Sequence, residues 1–375
     1  MNIIINTSTI VIGGGVQVSK SFLEELKGIE ADNTYHVFLS LKLEGEISSV
    51  VFPDNFKFYK IPKSPSKLST RRVVLKKLRE LENKIVPDIV FTIFGPSYWK
   101  PKALHLCGYA DAAGYKPDSI AFKQLNFLEN IRTKLLVRYK NYFIKKTATF
   151  LVVETELAKK NISKYLTYPT SKIFVVGNTY SKIYNEYKTE PKFKDKKNFT
   201  FLTLSSYYKH KNLLIINKVS EILNSEYNLN VKFILTIKKE EYLKNFGQNK
   251  NIINLGPQLV ENCPKLYNQA DAMFLPTLLE TFSASYPEAM KMERPILTSD
   301  LDFAHDICGE AALYFNPLDS YDIASKIKTI ITDPIIYQDL VEKGRNRLKN
   351  FETSESRAKK YLLCCEKIIE SNREK

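Results

Sequence analysis

Leu275-Pro-Thr-Leu-Leu-Glu-Thr-Phe-Ser-Ala-Ser-Tyr-Pro-Glu-Ala-Met-Lys-Met-Glu-Arg-Pro-Ile-Leu-Thr-Ser-Asp300 reads as a strand end, a short turn, a helix and a further strand over Pro295 to Thr298. The apolar run Ala272-Met-Phe-Leu-Pro276 leads into it. Strand, helix and strand in that order form a βαβ unit, which builds a parallel sheet. The same alternation recurs on both sides. On the N-terminal side a strand over Asn2 to Asn6 is followed by the glycine-rich turn Thr7 to Gly15 and a helix from about Val16 to Leu26. Further strands are expected at Tyr35 to Leu39, Phe56 to Tyr59, Asp88 to Phe94, Ala103 to Leu106, Thr149 to Val153 and Lys172 to Val176, with helices over Ser69 to Asn83 and Leu125 to Lys146. A second series opens at Phe199 to Leu204 and continues through Lys232 to Ile237 and Asn251 to Leu255. The fold class is therefore α/β, in two similar domains.

The boundary is expected near residues 180 to 198, because Ser181 to Lys197 is polar, lysine-rich and aperiodic. This sets a first domain over 1–180, a second over 199–350, and a final helical segment over 351–375. At 375 residues, 44% of them hydrophobic, the chain has the length and composition for large buried cores, and no repeat period is visible.

Charge is distributed unevenly. Residues 1–175 hold 27 basic and 15 acidic residues, net +12, whereas the remainder holds 29 and 26, net +3. Such asymmetry points to an anionic partner for the first half. Eight Lys or Arg and no acid lie between Lys60 and Arg79; six and no acid lie between Arg132 and Lys146, interleaved with Leu135, Leu136, Val137, Tyr139, Tyr142 and Phe143. Cations mixed with aromatics on a helix suit an anionic membrane surface. Solvated helix faces are the plain alternative, and no recognition motif for nucleic acid accompanies the charge. Cys107, Cys263, Cys308, Cys364 and Cys365 form no CxxC pair, which fits a reducing cytoplasm and gives no zinc pattern. The start lacks a basic segment followed by a long apolar run, and no stretch reaches 18 apolar residues. The expected location is cytoplasmic, peripheral at the inner face of the membrane.

Ligands of open α/β sheets bind at the carboxyl ends of the strands. Gly13-Gly14-Gly15 lies there, and Gly14 and Gly15 would let a backbone approach a phosphate or sugar, although GxGxxG is absent. In the segment quoted first, Glu280 is expected just before a helix N-terminus and Glu288 about two turns on. Between them, the amides of Thr281, Phe282 and Ser283 would face a ligand.

That segment resembles the E-x7-E signature of retaining GT-B glycosyltransferases, specifically glycosyltransferase family 4 of the bacterial surface-polysaccharide type. Pro295-Ile-Leu-Thr-Ser-Asp300 and Asp306-Ile-Cys-Gly-Glu-Ala-Ala-Leu-Tyr-Phe-Asn-Pro317 are similar to its continuation. Leu204-Ser-Ser-Tyr-Tyr-Lys-His-Lys-Asn-Leu-Leu213 resembles the family's diphosphate-binding loop, in which Lys211 matches the lysine. Ser205 and Ser206 stand where glycine and arginine are usual, so one cation is missing, with Lys209 and His210 as the two replacements within reach. Ser283 replaces a usual glycine. Pro101-Lys-Ala-Leu-His-Leu-Cys-Gly-Tyr-Ala-Asp111 resembles a region whose histidine faces the donor sugar, which nominates His105; Thr155 and Asn178 match landmarks of architecture.

The resemblance implies two Rossmann-like domains facing a central cleft, the last helix returning to the first domain, and sugar transfer from a nucleotide diphosphate sugar with retention. It implies contact of Glu280 with the donor sugar and of Glu288 with the ribose. The implied acceptor is a saccharide or a lipid-diphosphate-linked one, in capsule or O-antigen synthesis. No cofactor is expected and no metal, the positive groups of the diphosphate-binding loop taking the metal's charge-neutralising role. The competing readings are a GT-B nucleotide-sugar epimerase and a non-catalytic basic module that binds membrane or nucleic acid.

Overall fold

Ile3, Ile4 and Ile5 are all buried, because β1 (Asn2–Asn6) lies inside a parallel sheet covered on both faces. The computed structural model describes all residues except Ile12, Ala31, 190–197, Gln248 and 374–375. Two compact units are found. One comprises Met1–Pro117, Leu128–Asn178 and Thr353–Lys375; the other comprises Asp118–Phe127 and Thr179–Glu352. Of the linker expected over Ser181 to Lys197, residues 190–197 lie outside the described residues. Its earlier part is not a bare connector, since Lys182–Glu186 forms a 3-10 turn with Tyr184 fully buried.

In the first unit the chain runs β1, α1 (Gly14–Leu26), β2 (Thr34–Ser40), α2 (Leu41–Ile47), β3 (Phe56–Ile61), α3 (Leu68–Ile85), β4 (Ile89–Thr92) and β5 (Leu104–Gly108). It continues with α4 (Ala112–Tyr115), α5 (Phe127–Thr147), β6 (Phe150–Val153), α6 (Glu156–Leu166) and β7 (Ile173–Val175). The seven strands are parallel in the order β3-β2-β1-β4-β5-β6-β7, with Ile3 opposite Tyr35 and Ile89. Helix starts are written locally: Ser40 accepts from Leu43 N at 3.3 Å to cap α2, and Thr155 accepts from Ala158 N at 3.0 Å to cap α6.

The second unit contains β8 (Phe199–Thr203), α7 (Ile215–Ser225), β9 (Val231–Leu235), α8 (Lys239–Asn245), β10 (Ile252–Asn254), α9 (Cys263–Gln269) and β11 (Ala272–Leu275). Next come α10 (Ser285–Lys291), β12 (Ile296–Ser299), α11 (Asp302–Cys308), β13 (Ala312–Phe315), α12 (Ser320–Thr332) and α13 (Pro334–Leu348). Its six parallel strands are ordered β10-β9-β8-β11-β12-β13. Stacked rings fill the core, among them Phe201 on Phe233 at 5.6 Å and Phe274 on Phe315 at 5.3 Å.

The last helix, α14 (Ser354–Arg373), belongs to the first unit. Ala358, Tyr361, Leu362, Cys365, Ile368 and Ile369 recur at helical spacing and join the core formed by α1 and the sheet. The Tyr361 ring meets Phe22 edge-on at 5.4 Å. Arg357, itself buried, donates to Ser21 Oγ at 2.9 Å and to Asn178 Oδ1, and Asn178 Nδ2 donates to Glu154 Oε1 at 2.7 Å. Thr155 and Asn178 are thus architectural, one as a helix cap and the other as a link to α14.

Candidate active site

In the second sheet the strand order reverses between β8 and β11, and the crevice at the carboxyl ends of such a pair is where doubly wound sheets hold ligands. The chain leaves β8 and turns through the 3-10 segment Lys209–Lys211, ended by Asn212 in the left-handed region at φ 55°. The chain leaves β11 as an irregular loop over 276–284. The two are stitched together: Leu278 N donates to His210 O at 2.7 Å, and Thr277 Oγ1 lies 3.2 Å from the same carbonyl.

This stitching brings Lys211 onto Glu280. Lys211 Nζ is ion-paired with Glu280 Oε1, and the side chains are only 16% and 11% exposed. Thr277 Oγ1 lies 3.1 Å from the same carboxyl oxygen. A pair so sheltered from water exerts a stronger field than one on the surface, and it is held ready by the fold.

The expected two-turn relation of Glu280 to Glu288 is corrected. Helix α10 begins at Ser285, so Glu280 precedes it by five residues of loop and Glu288 lies in its first turn. The spacing is met by a bent loop, because Pro287 within α10 and the turn at 283–286 delay the helix; Ser283 O accepts from Tyr286 N at 3.2 Å. Thr281 and Ser283 are buried in that loop, and Phe282 is half-buried with its ring edge-on to Phe351 at 6.3 Å. Glu288 is half-buried, and desolvation pushes its carboxyl up to about 7, against the opposing pull of the Tyr184 and Tyr267 hydroxyls beside it.

Ser206 is exposed, its carbonyl taking the Ser205 hydroxyl at 2.9 Å. Lys209 is exposed, and the His210 ring lies flat on Tyr208 at 5.5 Å. Gly14 and Gly15 open α1 in the first unit, after Gly13 at φ 70°, where a side chain would be strained. A methyl group at Gly14 would meet nothing within 4 Å, whereas one at Gly15 would meet Phe94 at 3.4 Å. Lys211, Glu280, Thr281, Phe282, Ser283, Glu288 and Ser206 all belong to the second unit; Gly14, Gly15 and His105 do not.

His105, the catalytic candidate of the first unit, lies inside the sheet. It is 1% exposed within β5, its Nδ1–H donates to Thr147 O at 2.7 Å, and Nε2 accepts from Thr92 Oγ1 at 2.8 Å. Asn6 Nδ2 donates in turn to Thr92 Oγ1 at 3.1 Å. Both ring nitrogens are spent on the fold, and burial holds the imidazole down at about 4, so it is neutral near pH 7. Its role is to tie β4 and β5 to the end of α5.

The basic segments are real surface. Apart from Ile144 and Thr147, the described side chains of α5 are not buried; Leu128, Ile131, Leu135 and Leu136 are exposed among Arg132, Lys134 and Arg138. The Arg71 guanidinium of α3 sits over the rings of Tyr98 at 4.3 Å and Phe143 at 5.2 Å, joining α3 to α5. Among the described residues no helix is long and apolar enough to cross a membrane, and no group of three His, Cys, Asp or Glu is placed to hold a metal ion.

Sequence reading missed Thr277, Tyr184 and Tyr267. Thr277 directly follows the proline-ended strand and was legible by position. Tyr184 lay in a segment without periodicity, and Tyr267 reaches the site only through folding.

Residues 185–347 match the family described as Glycosyl transferases group 1. The chain is similar to the O-antigen chain mannosyltransferase RfbU of Salmonella typhimurium, 26% identical over 223 residues; this covers 58% of the chain and 57% of the relative's length. Among solved structures it resembles a sucrose-phosphate synthase from Thermosynechococcus elongatus, with TM-score 0.75, 12% identity, and 98% and 99% of the two chains covered. It also resembles HepE of Anabaena in complex with UDP and glucose, with TM-score 0.71, 12% identity, and 97% and 99% covered. The chain has the GT-B fold, and its second unit carries the region that matches the group 1 glycosyl transferases.

Proposed function

We propose that the protein is a retaining, metal-independent glycosyltransferase of family 4 that moves a sugar from a nucleotide diphosphate sugar to a hydroxyl of a surface-polysaccharide acceptor. The observation that carries this is the sheltered Lys211–Glu280 pair at the β8/β11 crevice, inside the region that matches group 1 glycosyl transferases. In this reading Lys211 neutralises the donor diphosphate, Glu280 accepts hydrogen bonds from hydroxyls of the transferred sugar, and Glu288 accepts those of the ribose. The bond from the anomeric carbon to the phosphate oxygen breaks, the acceptor oxygen bonds to that carbon on the same face, and its proton passes to the departing phosphate. The protein then needs no general base. With Lys211 supplying positive charge to the leaving group, the chemistry calls for no metal.

Relatives support the choice of substrates. One similar protein bears the name of an O-antigen mannosyltransferase, and one similar structure holds UDP and glucose. For this chain we propose a saccharide or lipid-diphosphate-linked acceptor at the inner face of the membrane, reached through the cationic, apolar-studded surface of α3 and α5. A thermal-shift panel of nucleotide diphosphates and sugar nucleotides identifies the donor, since a ligand that binds the folded state stabilises it by mass action. Turnover of that donor with acceptor, followed by NMR assignment of the product anomer, then tests the reaction. Unaltered turnover by both Glu280→Gln and Lys211→Ala would refute the site, and an inverted anomer would refute retention.

A further inference from the structure

The loop over 276–284 has no secondary structure of its own, so its buried peptide groups must find partners elsewhere. Leu278, which is buried, shows how. Its N–H donates to His210 O at 2.7 Å, and its carbonyl accepts the Ser119 hydroxyl at 3.3 Å. Ser119 stands 159 residues earlier, in the stretch Asp118–Phe127, which comes from the first half of the sequence but belongs to the second unit. That hydroxyl is committed in both senses. It gives its proton to Leu278 O and accepts from Ala121 N at 3.2 Å, which caps the 3-10 turn Ile120–Gln124. Ala121 and Phe122 in this turn are buried, so the serine stands on a fixed base. The turn after β8, which carries Lys211, has an anchor that does not involve Ser119: Asn212 Nδ2 donates to Pro317 O at 2.7 Å.

We propose that Ser119 is a positioning residue for the transferred sugar: by holding the Leu278 carbonyl it fixes the backbone two residues before Glu280 and so aims that carboxylate. The inference rests on the reading of Glu280 as the residue that accepts hydrogen bonds from the sugar. A buried carbonyl left without a donor costs more than the bond itself is worth, so without the hydroxyl the irregular loop shifts until the carbonyl meets water or another donor. Glu280 shifts with it. Lys211 keeps its place on its own anchor, so the clamp serves the sugar end of the donor and not the diphosphate end. Ser119 acts through Leu278 and need not touch the donor.

The test is calorimetric titration of the full chain with UDP, GDP, ADP and dTDP, and with UDP-glucose, GDP-mannose, ADP-glucose and dTDP-glucose. The proteins compared are wild type, Ser119→Ala, Ser119→Thr, Ser119→Val and Glu280→Gln. For the nucleotide that binds wild type, Ser119→Ala is expected to weaken the sugar nucleotide about tenfold and the nucleoside diphosphate by less than about twofold, since one lost hydrogen bond is felt at one end of the ligand. Ser119→Thr should hold the sugar nucleotide within about twofold of wild type. Threonine and valine share a shape, so comparing those two variants isolates the hydroxyl even if Ser119→Ala is too unstable to titrate. Hydrogen exchange of the free proteins should show the amides over 279–283 exchanging faster in Ser119→Ala and Ser119→Val than in wild type or Ser119→Thr. A merely structural role would weaken both ligands alike or neither, and unchanged exchange would show that the loop is held without Ser119. Either result, with Glu280→Gln still weak for the sugar nucleotide, overturns the inference alone. If Glu280→Gln binds the sugar nucleotide as well as wild type, or no sugar nucleotide binds wild type, the reading of Glu280 falls, and the inference with it.

Discussion

Lys211 and Glu280 stand 69 residues apart in sequence and meet as an ion pair where the turn after β8 is stitched to the loop after β11. Neither side chain is more than about a sixth exposed, so removing one partner strands the other's charge in poor solvent.

A double-mutant cycle should expose this coupling. Lys211→Met and Glu280→Met are each expected to lower unfolding free energy by about 1–3 kcal/mol, and the double variant by less than the sum. Urea unfolding at pH 7 measures it, and strict additivity would contradict the pair. In turnover assays Lys211→Ala should slow transfer by about 10²–10³-fold, the usual loss when one group stabilising developing charge is removed.

Glu288 makes the fold sensitive to pH. Its carboxyl is raised from 4.5 to about 7, so between those values the folded state binds more protons than the unfolded, and stability falls as pH rises. The difference in unfolding free energy between wild type and Glu288→Gln should therefore shrink across pH 4.5 to 7, by at most about 3 kcal/mol. A difference that grows over this window would show the carboxyl to be ionised at low pH.

His105 works in the opposite sense. Its imidazole is lowered from 6.5 to about 4, so the unfolded chain takes up the proton first, and stability is lost as pH falls through that window. Relative to His105→Gln, wild type should lose up to about 3 kcal/mol between pH 6.5 and 4. The same variant should retain donor affinity, which nucleotide titration checks, because the ring faces Thr92 and Thr147.

Arg357→Leu should cost about 3–5 kcal/mol, since it strips a buried donor from Asn178 and Ser21 and loosens the joint that seats α14. Thermal unfolding should show the loss, and Asn178→Ala should give a smaller one.

The α5 surface predicts binding to anionic vesicles. Sedimentation with phosphatidylglycerol-containing vesicles should capture the wild type. Arg132→Glu/Arg138→Glu should weaken capture at roughly 1 kcal/mol per cation removed, and Leu135→Asp should weaken it further. Equal binding to neutral phosphatidylcholine vesicles would sink the electrostatic part of the idea.

The inner strands were legible because each is a short β-branched or aromatic run that must be apolar on both faces; Asn2–Asn6 was read to the residue. Helices α3 and α5 were read to within about two residues at either end. Glu280, Lys211 and Glu288 were legible through motif spacing, but their relations were not. An ion pair across 69 residues, and a loop in place of two helical turns, are decided by which strands become neighbours. The surroundings of His105 were not legible, because a histidine at a strand end looks the same in sequence whether or not its ring meets a carbonyl. Tyr184 was hidden in a lysine-rich stretch whose polarity reads as a connector, although its ring is fully buried beside Tyr267.

The division of the chain carries a consequence for biogenesis. Residues Asp118–Phe127 belong to the second unit and α14 to the first, so neither unit is a continuous stretch. During synthesis the second unit has all of its residues once Glu352 has been made, while the first still exposes the apolar bed of Tyr361 and Ile368. The half of the protein translated earliest is therefore completed last, and a frameshift or proteolytic nick near residue 353 would injure the N-terminal body rather than the one it adjoins.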